Sequence, residues 1–220
     1  LPALADRHGR TDAATIEQRI ESLAGLIGNT AHVIALLADN GIDWLVADRA
    51  VRRTGRVLLP LPAFFTDAQC RHALDAAGVC ALLTDQVSRA ERLGFGESAE
   101  LSVLAPVPSL SLRVRRDDLS VVLPAASAKI TFTSGTTGQP KGVCLSQAQL
   151  SAVTGSLADV ARALGIRRHL CMLPLAVLLE NVAGADVAWQ AGAECVVPPL
   201  ADVGLTGSSQ FDVRGALAAL

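Results

Sequence analysis

The sequence has few aromatic and few charged residues, and it contains no tyrosine. Aromatic residues make up 3% of the 220 positions and charged residues 18%, whereas 50% of the chain is hydrophobic. A chain of this length and composition can bury a substantial core, which excludes an intrinsically disordered protein. The formal net charge of -2 at pH 7 argues against non-specific binding to nucleic acid. We therefore expect a globular protein without a nucleic-acid partner.

Cysteine is present, but without a metal or disulfide pattern. The five cysteines are scattered, with no Cys-x-x-Cys, and no two histidines have metal-binding spacing. We expect no metal site, packed or surface roles for His32, His72 and His169, and a reducing compartment. No leading signal peptide is recognisable, and the longest apolar run, Leu170–Leu179, is too short to span a bilayer. The expectation is a cytoplasmic protein without a membrane span.

Apolar runs rich in β-branched residues alternate with stretches of helical spacing along most of the chain. Such alternation is typical of βαβ units, so we predict an α/β fold of mainly parallel sheets covered by helices. Residues 1–11 are predicted to be a frayed start. Asp43, Thr66 and Ser146 are predicted to cap the second, third and fifth helices, and Gly55 and Gly165 are predicted to follow the second and fifth helices. The predicted strands are 32–37, 57–61, 79–84, 101–107, 130–133, 142–145, 169–175 and 194–198. The predicted helices are 15–27, 43–53, 67–77, 88–93, 147–164, 177–190 and 211–220.

The chain is predicted to divide into three parts. Residues 1–105 form a first α/β subdomain, and residues 129–220 form an α/β segment that carries a glycine-rich loop. Residues 106–128 between them are rich in Pro, Ser and Arg, which is typical of a connecting segment. In this connection the basic run Arg113–Arg116 is followed at once by two aspartates, which indicates a solvated loop.

The segment 130–146 has the composition of a phosphate-binding loop. Its first residues, Ile130–Thr133, are apolar and β-branched, which predicts a buried strand. The glycines that follow let the backbone turn sharply and bring its N–H groups close to a ligand. Hydroxyls add hydrogen-bond donors, and a lysine adds a positive charge, so polyphosphate oxygens are the predicted ligand. The predicted binding residues are Thr133, Ser134, Gly135, Thr136, Thr137, Gly138 and Lys141.

This loop differs from the two best-known nucleotide fingerprints. A Walker A loop needs Gly-Lys followed by Ser or Thr, whereas Pro140 precedes Lys141 here and Gly142 follows it. The three-glycine dinucleotide pattern is also missing. The stretch Ser134-Gly-Thr-Thr-Gly-Gln-Pro-Lys-Gly142 instead resembles, residue for residue, the signature of the adenylate-forming (AMP-binding) superfamily. This superfamily comprises acyl-CoA synthetases, the adenylation domains of peptide synthetases, and luciferases. The Asp-Asn-Gly and Pro-Leu-Pro segments earlier in the chain resemble the amino-terminal region of acyl-CoA synthetases.

The resemblance implies ATP-dependent activation of a small-molecule carboxylic acid, with a fatty or other acyl acid as the first expectation. The carboxylate attacks the α-phosphorus of ATP and gives an acyl-adenylate and pyrophosphate. A thiol, typically that of coenzyme A, then takes the acyl group, so ATP, Mg²⁺ and coenzyme A are the implied cofactors. The 133–141 loop would hold the β- and γ-phosphates, and Lys141, Thr136 and Thr137 would follow the leaving pyrophosphate.

The resemblance also implies a substrate pocket. In the family a Leu-Pro-Leu segment after a strand begins one wall of the acyl pocket, and Met172–Asn181 matches that segment. A histidine or aromatic residue usually follows, but Val177 takes this place, so the predicted wall is apolar and consists of Val177, Leu178 and Glu180. Peptide-synthetase domains carry an aspartate near this point that pairs with the substrate amino group. The corresponding position is at or near Leu179, which favours an acid without an amino group, with Glu180 either the neighbouring acid or an ordinary helix-face charge.

Other motifs of the family do not occur in this sequence. They include an aromatic-Gly-x-Thr-Glu segment, an aspartate for the ribose hydroxyls, and a lysine of a small carboxyl-terminal domain; no lysine follows Lys141. We therefore predict no catalytic residue in this chain, and an amino-terminal fragment that is inactive alone. Three functions stay open. The resemblance favours an acyl-CoA synthetase fragment; the alternatives are an amino-acid- or aryl-acid-activating domain that loads a carrier protein, and a non-catalytic nucleotide-binding or scaffold protein.

Overall fold

Two sheets and the helices around them make up the fold. The structure is a computed structural model and describes residues 2–28, 30–97, 104–116, 121–133 and 140–205, together with Arg214. Its strands are β1 (Ala3–Asp6), β2 (Gly9–Asp12), β3 (Val33–Leu37), β4 (Val57–Pro60), β5 (Ala81–Thr84), β6 (Gly96–Glu97), β7 (Ser111–Val114), β8 (Ser127–Thr133), β9 (Lys141–Ser146), β10 (Arg168–Leu170) and β11 (Glu194–Val196). Its helices are α1 (Ala13–Ile27), α2 (Ile42–Arg53), α3 (Asp67–Ala76), α4 (Val87–Arg92), α5 (Gln147–Ala163) and α6 (Val187–Ala191), with a π-helix at Leu179–Asp186 and a 3₁₀ turn at Leu200–Val203.

The larger sheet has seven strands in the order β6-β7-β5-β3-β4-β8-β9. The central strands β5, β3, β4 and β8 are parallel, and β7 and β9 pair antiparallel with their neighbours. The smaller sheet has four strands in the order β10-β11-β1-β2, with β10, β11 and β1 parallel and β2 antiparallel. The predicted α/β fold of mainly parallel sheets is confirmed.

The central strand β3 is buried on both faces, as expected for a parallel strand covered by helices. Successive side chains of a strand point to opposite faces, so Ile34 and Leu36 pack with α1 and α2, and with residues of the smaller sheet such as Cys195. Val33, Ala35 and Leu37 pack on the other face with α3 and α4. The apolar residues of the sequence therefore form two core layers, one on each face of the larger sheet.

Local sequence rules predicted several helix ends correctly. Thr66 and Ser146 both form the predicted caps of α3 and α5, each in a reciprocal capping box with a glutamine. Gly55 and Gly165 follow α2 and α5 with φ of 70° and 68°, a conformation that favours glycine. Each of these signals depends only on residues within one helical turn.

Two predictions near the start of the chain were wrong. Residues 3–12 are not frayed: they form the β1–β2 hairpin, and β1 pairs with β11 with Ala3 opposite Glu194. Asp43 does not cap α2, because Gly41 occupies the capping position and Asp43 lies in the first turn. The Asp43 carboxylate instead accepts hydrogen bonds from the backbone N–H (2.9 Å) and the hydroxyl (2.7 Å) of Ser109.

The predicted strand 101–107 and the predicted solvated loop after it also need correction. Residues 104–107 form turns, and residues 101–103 lie outside the described residues. The Arg-rich stretch contains strand β7, and Arg115 is covered: its side chain is 7% exposed and lies 2.7 Å from the Asp75 carboxylate. The guanidinium also stacks over the Phe95 ring at 5.1 Å, so packing as well as charge keeps it in place.

Strands on both sides of residues 106–128 belong to the larger sheet, although the division of the chain at residues 105 and 128 stays a prediction. The predicted helix at 211–220 lies outside the described residues, apart from Arg214. Among the helices of the described residues, none is both long enough and apolar enough to cross a membrane.

Candidate active site

The hairpin of β8 and β9 carries the two ends of the predicted phosphate loop. Thr133 and Lys141 are direct partners in its antiparallel ladder, and both are exposed. Directly opposite residues of an antiparallel pair project from the same face, so a hydroxyl and an ammonium group stand side by side at the mouth of the loop. Ser134, Gly135, Thr136, Thr137 and Gly138 lie outside the described residues. The described part of the loop therefore offers one hydroxyl and one positive charge to an anion.

The carboxyl-terminal end of the loop is fixed by a contact that sequence reasoning missed. Pro140 is buried, and its carbonyl oxygen lies 3.0 Å from Nε2 of His72, which is on α3. The His72 ring also meets the Phe132 ring edge-on, with centroids 6.2 Å apart. Gly142 is next to this pair, and a Cβ at that position would lie 3.0 Å from Phe132. His72 is thus a packed histidine, as predicted, but it supports the loop from 68 residues away in the sequence.

A buried charge network holds the strand that leads into the loop. Lys129 on β8 is fully buried, with its Nζ 2.7 Å from an oxygen of the fully buried Asp48 on α2. The same Nζ donates to the side-chain oxygen of Asn181 in the π-helix. Arg52 lies 2.5 Å from the second oxygen of Asp48 and 3.1 Å from Asp186. Strand β8, helix α2 and the π-helix are therefore tied together by ion pairs and hydrogen bonds.

The network shifts the pKa values of its members. Burial by itself would raise the pKa of Asp48, but Arg52 and Lys129 outweigh it and lower this pKa to about 2. Burial lowers the pKa of Lys129, and the facing Asp48 carboxylate opposes that shift. Since a buried charge without a partner costs several kcal/mol, each member depends on the others.

The predicted pocket wall follows strand β10. Val177 and Leu178 are half-buried and begin a helix that runs to Ala191, close to the predicted 177–190. Its first part is a π-helix rather than an α-helix, a form that often occurs at functional sites. Leu179, at or near which the aspartate of peptide-synthetase domains is predicted to correspond, has 63% of its surface exposed.

Glu180 is neither a free acid nor an exposed helix-face charge. It is 5% exposed, and one carboxylate oxygen accepts hydrogen bonds from the backbone N–H groups of Met172 (3.1 Å) and Leu173 (2.8 Å). The other oxygen lies 2.7 Å from Nε2 of His169. Burial lowers the pKa of His169 while this hydrogen bond raises it, and the net shift is upward. Both oxygens of Glu180 are thus occupied within the protein.

Asn40 connects the end of strand β3 to the Leu-Pro-Leu segment of the predicted pocket wall. It lies after β3, and its side chain donates to the Leu173 carbonyl and accepts from the Leu175 N–H, both at 2.8 Å. The Leu-Pro-Leu segment that follows β10 is therefore held at the carboxyl end of a strand of the larger sheet. In the sequence this asparagine stands out only as part of the Asp-Asn-Gly segment.

A cleft of about 680 Å³ also opens at the carboxyl ends of β3 and β5. Asp39, Asn40, Trp44 and Asp85 are among the residues that line it. The predicted site residues that the structure describes do not line this cleft. The hairpin and the π-helix are therefore connected through the Lys129 network and not through this cavity.

Comparison with known proteins identifies the family. The sequence model of the family described as AMP-binding enzyme matches residues 2–212. The chain belongs to the AMP-binding enzyme family. The resemblance to this family, first indicated by the Ser-Gly-Thr-Thr-Gly loop, is thereby confirmed, and the match extends over almost the whole sequence.

The curated relatives of this AMP-binding chain include large synthetases. AMB antimetabolite synthetase AmbE of Pseudomonas aeruginosa is 30% identical over 165 residues, which are 71% of this chain and 7% of that protein. Nonribosomal peptide synthetase ecdA of Aspergillus rugulosus is 30% identical over 170 residues, which are 76% of this chain and 2% of that protein. The chain thus spans a few per cent of the length of these relatives.

Solved structures share the fold. The N-terminal subdomain of NpsA from Klebsiella oxytoca, in complex with 3-hydroxybenzoyl-AMSN, has a TM-score of 0.69 at 20% identity, over 98% of this chain and 52% of that chain. ATP-bound MatB from Rhodopseudomonas palustris has a TM-score of 0.65 at 19% identity, over 88% of this chain and 41% of that chain. The AMP-binding chain thus covers between two fifths and about half of these solved chains.

The relatives correct the order of the functional expectations. An acyl-CoA synthetase of fatty-acid metabolism was the first expectation, with an adenylation domain as its alternative. The named relatives are peptide and antimetabolite synthetases, so they support the adenylation-domain alternative better. The expected absence of an aspartate at or near Leu179 bears on the type of acid, and not on the thiol that accepts the acyl group.

Proposed function

We propose that this chain is part of an adenylation domain that uses ATP to activate a carboxylic acid and passes the acyl group to the thiol of a carrier protein. The observation that carries the proposal is the pairing of exposed Thr133 with exposed Lys141 at the mouth of the Ser-Gly-Thr-Thr-Gly loop. This pair follows the carboxyl end of β8, where open α/β sheets bind their ligands.

In this mechanism the chain binds and orients the triphosphate of ATP. Lys141 would neutralise negative charge on the β- and γ-phosphates, and the loop hydroxyls and N–H groups would follow the pyrophosphate as it departs. The acid's carboxylate would attack the α-phosphorus, forming a C–O–P linkage while the bond to pyrophosphate breaks. Carboxylates are weak nucleophiles, so alignment and charge neutralisation supply the acceleration.

Mg²⁺ fits this site chemically. It prefers phosphate oxygens, water and a few hard protein oxygens, and the exposed Thr133 hydroxyl is an oxygen of this kind. When bound, the ion would neutralise charge on the triphosphate. The residues of this chain would then align the triphosphate against the acid.

We propose that the acid lacks an α-amino group. An amino group in the pocket needs a carboxylate partner, but Leu179 has none and both oxygens of Glu180 already have partners. The apolar Val177 and Leu178 would contact the body of the acid. An aryl acid would pack against this apolar wall, and the ligand of the NpsA subdomain is a 3-hydroxybenzoyl compound.

The acceptor thiol is proposed to belong to a carrier protein rather than to coenzyme A. The support is the synthetase character of the relatives, together with a solved fusion of NpsA with ThdA, described as an adenylation–PCP di-domain. We also propose a cytoplasmic location, because all five cysteines are free thiols.

The test is carboxylate-dependent ATP–pyrophosphate exchange by the complete product of the gene that encodes this chain. With aryl, amino and fatty acids offered in parallel, we expect exchange with aryl acids. Lys141→Ala should lower the kcat/KM for ATP by about 100-fold, the scale of losing one charge-stabilising contact. Lys141→Arg should retain more activity, since it keeps the charge.

Arg116→Ala is the matched control, because it removes an exposed positive charge just after strand β7, away from the β8–β9 hairpin. Exchange with amino acids alone would contradict the proposed acid and leave the adenylation reaction intact. Equal ATP kinetics in Lys141→Ala and the control would contradict the role of the loop. Folded protein without exchange for any acid would favour the non-catalytic alternative.

A further inference from the structure

Four side chains with metal-binding atoms converge at the edge of the smaller sheet. Nε2 of His169, Sγ of Cys171 and a carboxylate oxygen of Glu180 all lie within 4.8 Å of one another. Sγ of Cys195 lies 3.5 Å from Sγ of Cys171, and both cysteines are fully buried free thiols. We name these four residues the His169 cluster.

The fold, and not sequence spacing, assembles this cluster. His169 and Cys171 alternate along β10 and its extension, so they point to the same face. Cys195 is the direct partner of His169 on the neighbouring strand β11. Glu180 reaches the same face from the π-helix. The sequence contains no paired Cys or His motif here, which explains why spacing predicted no metal site.

The space for the His169 cluster depends on a missing side chain. Gly184 lies next to the cluster on the π-helix, and a Cβ there would lie 2.6 Å from His169 Nε2 and would also clash with the near oxygen of Glu180. Any other residue at 184 would push two of the four groups away. The missing side chain at residue 184 thus lets His169 and Glu180 approach each other beside the two thiols.

We propose that the His169 cluster binds one Zn²⁺ ion, with His169, Cys171, Glu180 and Cys195 as its ligands. Imidazole nitrogen, thiolate sulfur and carboxylate oxygen are the ligands that zinc prefers in proteins, and four protein ligands are typical of a structural zinc site. Their softness and geometry disfavour Mg²⁺ and Ca²⁺, which require oxygen ligands.

Three of the four ligand atoms already lie within 4.8 Å of one another, and Cys195 adjoins them through its contact with Cys171. Zn–S and Zn–N bonds of about 2.3 and 2.0 Å place tetrahedral ligands about 3.3–3.8 Å apart. The two sulfur atoms already have this separation, at 3.5 Å. The 2.7 Å between His169 and Glu180 is a hydrogen bond, which the ion would replace as the two atoms separate.

Glu180 is already oriented for this role. Its far oxygen accepts from the N–H groups of Met172 and Leu173, so the near oxygen remains directed towards His169. Such outer contacts orient metal ligands and commonly affect affinity by about 10–100-fold. Binding would release the protons of the ligating thiols and would fix β10, β11 and the start of the π-helix to one another.

The experiment titrates the reduced, chelator-treated chain with Co²⁺, followed by displacement with Zn²⁺. We expect one Co²⁺ per chain, a thiolate-to-cobalt charge-transfer band, visible bands of four-coordinate geometry, and loss of all of these on adding one equivalent of Zn²⁺. Zn²⁺ should also raise the thermal unfolding midpoint, because the ligand binds the folded state. Absence of the charge-transfer band at saturating Co²⁺ would overturn the proposal.

Variants assign the ligands. Cys171→Ser and Cys195→Ser should each weaken Zn²⁺ binding by at least about 100-fold and remove part of the charge-transfer intensity. Cys80→Ser, just before β5 of the larger sheet, is the matched control and should bind Zn²⁺ as the unmodified chain does. Gly184→Ala should weaken binding while every ligand atom remains. Unchanged Zn²⁺ affinity in the double variant Cys171→Ser/Cys195→Ser would also overturn the proposal.

Discussion

The two lysines of the chain lie on the two strands of one hairpin, in opposite environments. Lys129 on β8 is completely buried and bound to Asp48 and Asn181. Lys141, at the start of β9, is exposed at the mouth of the loop. The charge of Lys129 is paired inside the protein, whereas the charge of Lys141 is available to an anion. Lys129 thus belongs to the part of the hairpin that fixes its position, and Lys141 belongs to the part that is proposed to bind ligand.

The buried Lys129 contributes more to the position of strand β8 than to the net stability of the fold. Removing two charges from water costs about as much as their mutual attraction returns, so a buried pair adds little net stability over an apolar pair. However, a strand that carries a buried lysine can pack in only one register against Asp48 and Asn181. We infer that the network sets where β8 ends, and hence where Thr133 and Lys141 stand.

The largest effect is expected for Lys129→Ala. Removal of Lys129 leaves Asp48 fully buried without one of its two cations, so the free energy of unfolding should fall by about 3–5 kcal/mol. Urea denaturation followed by circular dichroism measures the loss, with Arg116→Ala as the control. A loss below about 1 kcal/mol, the range of exposed ion pairs, would show that the network is not tightly buried.

Acid should weaken the same network by a smaller amount. The folded pKa of Asp48, about 2, is below its ordinary 3.8, so its stabilisation is present above about pH 4 and is lost as the pH falls towards 2. The shift corresponds to about 2 kcal/mol. Urea midpoints at about pH 5 and about pH 3 should differ less in Asp48→Asn than in the unmodified chain. A parallel decrease in both proteins would assign the acid sensitivity to other groups.

The smallest effect on stability is expected for Lys141→Ala. An exposed residue at a loop end contributes within about 0.5 kcal/mol, so the urea midpoint should stay close to that of the unmodified chain. The same variant is expected to lose ATP-dependent exchange, whereas Lys129→Ala should lose stability first. Substantial destabilisation by Lys141→Ala would remove the contrast between the two lysines.

The sequence predicted those features that depend on neighbouring residues. Thr66, Ser146 and the glycines after the helices act within one turn, and each was predicted from its own surroundings. The loop was recognised for the same reason, since its hydroxyls, glycines and lysine are contiguous. The alternation of strands and helices was sufficient for the fold class.

Features that depend on distant partners could not be predicted. A lysine in a strand indicates an exposed edge, and nothing near Lys129 points to Asp48 on α2. The first strand pairs through Ala3 with Glu194, at the other end of the chain, so its residues alone resemble a loose terminus. Glu180 was predicted to be a pocket-wall acid or a helix-face charge, whereas in the π-helix it is buried and contacts His169.

The burial of Lys129 has a consequence for covalent chemistry. A fully covered amine in an ion pair does not meet reagents in solvent, so acylation of a lysine side chain falls on Lys141 alone. Lys141 stands beside the loop where a mixed anhydride, itself an acylating agent, is proposed to form. Acylation of the Lys141 side chain would therefore label the glycine-rich loop, and a lower extent of acylation in the presence of a bound anion would measure occupancy of the proposed site.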